Sequence, residues 1–412
     1  MAIAASASKM YVLMTLRYTP PPPAPAGPAN AAKLGVCELD GSACTTVDVV
    51  APIVSPDTAW GTSMAAMVAS DGTFFGAFVA GTSNAIFTVV CSDEGCASPT
   101  VTQHGAALST GTNSLALSIG PDGEKLVWFA GANGVRHLDC HEPACSTAIM
   151  TTKIIYPTLA RGLAIVPRQG SGFPQLTFLT TSLRPGCSNA IDGLATLLCS
   201  NATCSTADIF TVADGIGDCG ASAPEVGDAV GIASNPTRLT FYNATMGTYR
   251  IAECATEQCL GAQLYIVPAP APVTPAVGIA TVSGASSAVF VDAPANGGKG
   301  YSVWECASAS CTSSTLRGRT TTVAAPAIAA SYAVAAASTS TTAVAYAVIS
   351  DSDVAINLAV LADTTLVSSG TSTTASGTSA TSSGASPASS GAVWWQVAAA
   401  VGGAIALAHG LA

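Results

Sequence analysis

Short apolar runs alternate with polar turn clusters along most of this chain. The runs are too brief for helices and rich in Val, Ile, Phe and Thr, so they predict strands. Residues 63–96 show the unit: SMAAMVASDGTFFGAFVAGTSNAIFTVVCSDEGC. A run of small residues comes first, then an Asp-Gly turn, then a second run with aromatics. A further turn follows, and a third run ends in cysteine. Residues 114–145, 229–259 and 276–311 repeat the order. The residues after the second cysteine, Thr45 to Val50 and Ser205 to Val212, predict a fourth strand. Asp71-Gly72 and Asp122-Gly123 fall between strands one and two, where this dipeptide suits a tight turn.

A period of about 50 residues is the mark of a repeat architecture. Four short strands per unit predict an all-β fold, a β-propeller with antiparallel blades. The small-residue runs (SMAAMV, SLALSI, GLAIV, AVGIA) suit innermost strands crowded around a central channel. The units fall near 1–60, 61–112, 113–160, 161–226, 227–274, 275–325 and 326–367. That makes seven blades, or six if the first and last partial units combine.

The cysteines follow the same period. The pairs are Cys37/Cys44, Cys91/Cys96, Cys140/Cys145, Cys199/Cys204, Cys254/Cys259 and Cys306/Cys311. All but the first are C-x4-C. Zinc sites usually hold pairs two to four residues apart and bring two pairs together, which this spacing does not do. The pattern therefore reads as disulfides made in an oxidising compartment, each stapling strand three to strand four across a tight outer hairpin and so guarding the exposed edge of the outermost strand. Cys187 and Cys219 remain. They lie in long connections of one unit and are candidates to bond to each other.

Composition narrows the partners. Only 9% of residues are charged and the formal net charge is -10. No basic patch appears, which excludes a nucleic-acid binder. Asn201-Ala-Thr and Asn243-Ala-Thr are candidate N-glycosylation sites. Residues 368–391 are almost wholly Ser, Thr, Gly and Ala and predict a flexible stalk. The apolar stretch 392–412 follows, with nothing basic after it. A polar spacer before an apolar tail matches a GPI-attachment signal, with Ser383 the candidate attachment site; a single membrane-spanning helix is the alternative. Such a route requires a signal peptide, yet Lys9 and Arg17 break the first apolar run. The expectation is that the true N-terminus precedes Met1, or else that Met1 to Leu16 is a poor signal and the first copy is not a blade.

Candidate chemistry is sparse. His137, Asp139 and His141 share one face of a strand while Cys140 takes the other, and the reading expects a solvated strand end there rather than a metal site. No metal or cofactor is implied. The repeats resemble a loose group of extracellular β-propeller repeat proteins, over roughly residues 1 to 367. That resemblance implies an extracellular disc that binds a protein or glycan through a loop face or its channel. The first functional expectation is a non-enzymatic cell-surface binding or adhesion module, tethered to the membrane by its tail. The second is a surface hydrolase or lyase acting on glycans, with Asp192, Asp214, Asp218 or Glu225 supplying paired carboxylates.

Overall fold

The computed structural model describes residues 2–397 outside a set of connections and isolated turn residues. The excluded connections are 19–28, 39–42, 55–62, 81–84, 105–111, 151–159, 182–190, 215–229, 234–236, 244–247, 268–277, 282–287, 293–300, 307–313, 321–331, 339–340, 350–353 and 363–391. Side chains are described up to residue 267.

The described residues contain strands and no helix. They form seven antiparallel four-stranded sheets, each ordered as the chain runs. The first sheet holds β1 (Ala2–Ala5), β2 (Lys9–Tyr18), β3 (Ala29–Glu38) and β4 (Cys44–Val54). The second holds β5 (Met64–Val68), β6 (Phe74–Ala80), β7 (Ala85–Val90) and β8 (Thr100–His104). The third holds β9 (Thr112–Ile119), β10 (Lys125–Gly131), β11 (Gly134–Cys140) and β12 (Ala148–Met150). The fourth holds β13 (Ala160–Pro167), β14 (Pro174–Thr181), β15 (Ile191–Cys199) and β16 (Ala207–Asp214). The fifth holds β17 (Val230–Ala233), β18 (Arg238–Asn243), β19 (Thr248–Glu253) and β20 (Gln263–Ile266). The sixth holds β21 (Gly278–Thr281), β22 (Ala288–Asp292), β23 (Tyr301–Cys306) and β24 (Ser314–Thr320). The last holds β25 (Tyr332–Ser338), β26 (Thr341–Ile349), β27 (Val354–Ala362) and β28 (Ala392–Val397).

The first strands touch one another in cyclic order: β1, β5, β9, β13, β17, β21, β25 and back to β1. This ring of inner strands makes the molecule a β-propeller. Small side chains in those strands let the neighbouring backbones converge, as the sequence pattern required.

The second strand of each sheet explains the continuous apolar runs. In β6 every residue is buried. Phe74, Phe78 and Ala80 pack against the first sheet, around Tyr11, Leu13 and Leu34. Phe75, Ala77 and Val79 pack on the other side, against Leu115, Val127 and Phe129 of the third sheet. A strand sandwiched between two sheets must be apolar at both parities. In β10, Leu126, Trp128 and Ala130 face the fourth sheet in the same way. Gly76 marks a close approach in this stack. A Cβ there would lie 2.9 Å from both Leu13 Cδ2 and the Phe74 ring.

The last sheet departs from the sequence reading in one respect. Its outer strand, β28, comes from Ala392–Val397 and pairs with β27 from Leu361↔Ala392 to Ile356↔Val397. The sequence assigned those residues to the apolar tail. The unit following β25 contributes only two further strands before residue 363, so the free edge of β27 is open to an apolar extended segment. Among the described residues no helix is long and apolar enough to cross a membrane. Residues 398–412 and Ser383 lie outside the description.

Candidate functional site

The two ends of the ring differ. Strands one and three run toward one end, where the turns between strands one and two and between strands three and four are made. We refer to this as the clasp end, because it carries the cysteine pairs. The opposite end receives the connections between strands two and three and between successive sheets.

At the clasp end five disulfides form among the described residues: Cys37–Cys44, Cys91–Cys96, Cys140–Cys145, Cys199–Cys204 and Cys254–Cys259. Cys306 ends β23, while Cys311, Cys187 and Cys219 lie outside the described residues. Cys37 and Cys44 face each other directly across β3 and β4. The C-x4-C pairs are built differently. Their second cysteines, Cys96, Cys145, Cys204 and Cys259, have φ of 47°, 52°, 50° and 56°. This left-handed backbone is unfavourable for a residue with a Cβ. Each is held by its own N–H, which donates to the carbonyl three residues back: Asp93, Glu142, Asn201 and Thr256.

The sequence placed these bridges at the outer rim, as staples of an exposed edge. The structure places them elsewhere. Cys91, Cys96, Cys140, Cys145, Cys199, Cys204, Cys254 and Cys259 are all at most 4% exposed. Each bridge packs in the core shared with the preceding sheet. The reason is the apolar, compact character of the bridge itself. Closed into a short turn, it becomes a plug that fills the gap left where two twisted sheets diverge.

Side chains of the preceding sheet receive each plug. Tyr11 on β2 donates its hydroxyl to the Glu94 carbonyl at 3.0 Å, and Ser8 Oγ donates to Glu94 Oε2 at 3.0 Å. Gln175 on β14 donates Nε2 to the carbonyl of Glu257, the matching position three units on, at 2.9 Å. Arg168 grips the same turn, with Nε and Nη2 on Glu257 Oε2 at 3.0 and 2.8 Å and Nη1 on the Cys199 carbonyl at 2.9 Å. His104 at the end of β8 lies 3.7 Å from Cys145 Sγ and 2.9 Å from Thr88 Oγ1. Burial lowers the His104 pKa. Burial, with Glu94 and Asp93 nearby, pushes the Tyr11 hydroxyl up to about 12. Tyr11→Phe should therefore destabilise the ring by about 0.5–1.5 kcal/mol, because it removes one buried hydrogen bond and leaves the Glu94 carbonyl without it. Urea unfolding of the two proteins measures this, and an unchanged midpoint would deny the turn its clasp.

The His137 expectation is corrected. His137 is fully buried, not solvated, and its ring lies 4.7 Å from that of Trp128. The next sheet covers it, and its ring meets the backbone of Thr203 in the Cys199–Cys204 turn. Burial drops its pKa to about 4. Asp139 is also buried, and His141 lies outside the described residues. Among the described residues no group of His, Cys, Asp and Glu is arranged to hold a metal.

A cavity of about 330 Å³ opens at the clasp end, between the ends of β5, β9 and β13. Met67, Leu117, Ile119, Ile165 and Val166 are the larger apolar side chains of its wall, beside Val68. Ser118 is the polar side chain in it, and its Oγ accepts the Trp128 Nε1 hydrogen at 2.9 Å. Behind this wall, Lys125 is buried and its pKa is lowered by burial. Hydrogen bonds from the Thr73 side chain and backbone lower the Asp71 carboxyl. None of the cavity residues was singled out by the sequence. Their only signal is a larger apolar side chain at the end of a small-residue strand.

At the other end, Asp192 is the second residue of β15 and Asp214 ends β16, so the fold brings both to one end of the fourth sheet. Asp214 is opposite Gly193, which leaves Asp192 one residue out of step with it. Asp218 and Glu225 lie outside the described residues. Asn243 ends β18 at this same end. Asn201 instead sits in a clasp turn, where its side-chain oxygen accepts the Ser205 N–H at 2.9 Å and its Nδ2 donates to Ser205 Oγ at 2.6 Å.

No protein-family model matches the chain, and no curated protein matches it. Among solved structures, the polysaccharide lyase Uly1 is similar over 84% of this chain and 86% of its own, at 9% identity and a TM-score of 0.46. The WD40 domain of SCAP from fission yeast is similar over 86% and 87%, at 7% identity and a TM-score of 0.44. A puromycin hydrolase mutant is similar over 87% of this chain and 51% of its own, at 14% identity and a TM-score of 0.49. These likenesses say nothing of activity, and the fold rests on the strand pairing above.

Proposed function

We propose that this protein is a cell-surface binding or adhesion module working in an oxidising, extracellular setting. The observation that carries the reading is the inequality of the two ends. The clasp end is tied down by disulfide turns and inter-sheet hydrogen bonds. The opposite end receives the connections 19–28, 182–190, 215–229 and 268–277 on a rigid ring. Loops presented by a rigid scaffold are where binding residues concentrate. The low charge of the chain fits an uncharged glycan or a protein surface better than a nucleic acid. The Cys187 and Cys219 pair, both in connections of this end, would tie two of its loops together.

The tail enters this reading in two opposed ways. Attachment of a GPI anchor at Ser383 removes the residues beyond it and takes β28 with them. Retention of β28 keeps the last sheet four-stranded and leaves 398–412 as the apolar remainder. Expression in a secretory host, with release by phosphatidylinositol-specific phospholipase C, separates the two.

The function itself is tested on a glycan array and on cell-surface protein arrays with the oxidised ring. Replacing 182–190 and 215–229 by short Gly/Ser linkers should abolish binding and leave the thermal transition in place. Undiminished binding by that variant removes the loop end from the proposal. Cleavage of an array glycan, lost on Asp214→Asn, would instead establish the glycan-processing reading that the shared end of Asp192 and Asp214 keeps in view.

A further inference from the structure

We propose that the cavity at the clasp end is a second binding site, for a small uncharged apolar molecule carrying a hydrogen-bond acceptor. It is separate from the loop end and does not depend on that reading. Three observations carry it. The cavity is about 330 Å³, within the size range of small-molecule pockets. Its wall is apolar but left partly open to water: Met67, Val68, Ile119 and Ile165, at or near the ends of their strands, are only half-buried. Apolar surface in a concave wall is stabilised when a ligand displaces water from it. Among the described residues no charged side chain lines it, so a charged ligand would lose its hydration without a counter-charge.

The acceptor requirement comes from Ser118. Its oxygen is already occupied by the Trp128 indole N–H, and it is 8% exposed. A serine hydroxyl carries one hydrogen of its own. With the oxygen accepting from the indole, that hydrogen can be donated to a carbonyl, ether or hydroxyl oxygen of a ligand. The surrounding wall is also fixed. The Gly120 N–H donates to the Glu124 carbonyl at 2.7 Å, and the Ala69 N–H donates to the Thr73 carbonyl at 2.8 Å, so both strand ends are held before any ligand arrives. Preorganisation of this kind favours binding because little order remains to be imposed.

The test uses the full chain with its disulfides intact and N-phenyl-1-naphthylamine, an uncharged apolar fluorophore, as the probe. Saturable enhancement of its fluorescence is expected. Ala69→Phe and Ile119→Phe each place a larger side chain in the cavity and should weaken probe binding at least tenfold, with the thermal transition confirming that each variant is folded. The anionic analogue 8-anilinonaphthalene-1-sulfonate should bind at least tenfold more weakly than the neutral probe. Non-saturable binding, or equal binding by wild type and both folded variants, overturns the site. Equal affinity for the anionic probe overturns the assigned ligand class.

Discussion

Removing one C-x4-C bridge, by Cys199→Ala with Cys204→Ala, is expected to lower the free energy of unfolding by about 2–5 kcal/mol. Loss of a native bridge accounts for that range. The buried position of both cysteines adds a cavity cost, since each is fully buried between the third and fourth sheets. Alanine at 204 must also keep a left-handed backbone, φ 50°, without the bond that held it. The informative readout is where protection from hydrogen exchange is lost. A plug between sheets predicts loss in β10 and β11 of the preceding sheet, around Trp128 and His137, as well as in β15. A staple of the outer edge predicts loss confined to β16. The second pattern would sink the role assigned to these turns. The same double substitution at Cys37 and Cys44 should cost less, because that bridge joins facing strand residues and Cys44 is only half-buried.

Acidification from pH 7 to pH 4.5 should weaken the ring, with His137 the largest single contributor. The unfolded imidazole takes a proton near its ordinary value of 6.5, whereas the buried one does so only near 4. The folded-state pKa is depressed, so the stabilisation is fully present above pH 6.5. It is lost as pH falls through the window from 6.5 to about 4 and is constant below that. The complete loss is worth about 3 kcal/mol at 1.36 kcal/mol per unit. Burial moves His104 in the same direction, so it steepens the same window. The lowered carboxyls of Asp71 and Glu142 act only nearer the ordinary carboxylate range. Urea midpoints measured at pH 7, 6, 5 and 4.5 give the slope. His137→Gln, which carries no proton in this range, should flatten it even though the variant starts from a lower stability. An unchanged slope would show that His137 does not titrate as a buried group.

Both predictions turn on what individual residues face, and that information was divided unevenly between sequence and structure. The alternation of short apolar runs with Gly, Asp and Pro clusters announced four strands per unit, because strand length and turn chemistry are local properties. The small residues of SMAAMV and SLALSI announced the inner strands, because crowding around an axis penalises side-chain volume wherever the axis lies. The spacing of the cysteines announced the bridges, since five residues of chain can only bring two thiols together within one turn.

What the turns pack against was not legible. Cys96 and Cys204 read as rim staples from sequence, since nothing local tells an outward turn from one pressed into a neighbouring sheet. His137 read as solvated because strand parity separates two faces but does not say which is covered, and in a stack of sheets both are. The hydrogen bonds of Tyr11 to Glu94 and of Gln175 to Glu257 join residues more than 80 positions apart. The pairing of β27 with Ala392–Val397 spans the whole Ser/Thr-rich segment. Most of the strands, their turns and the five described disulfide pairs follow from the chain alone, because those depend on neighbours along it. Which surfaces meet, where the cavity opens and which histidine is starved of water follow only from the packed fold, because each depends on how one twisted sheet leaves space beside the next.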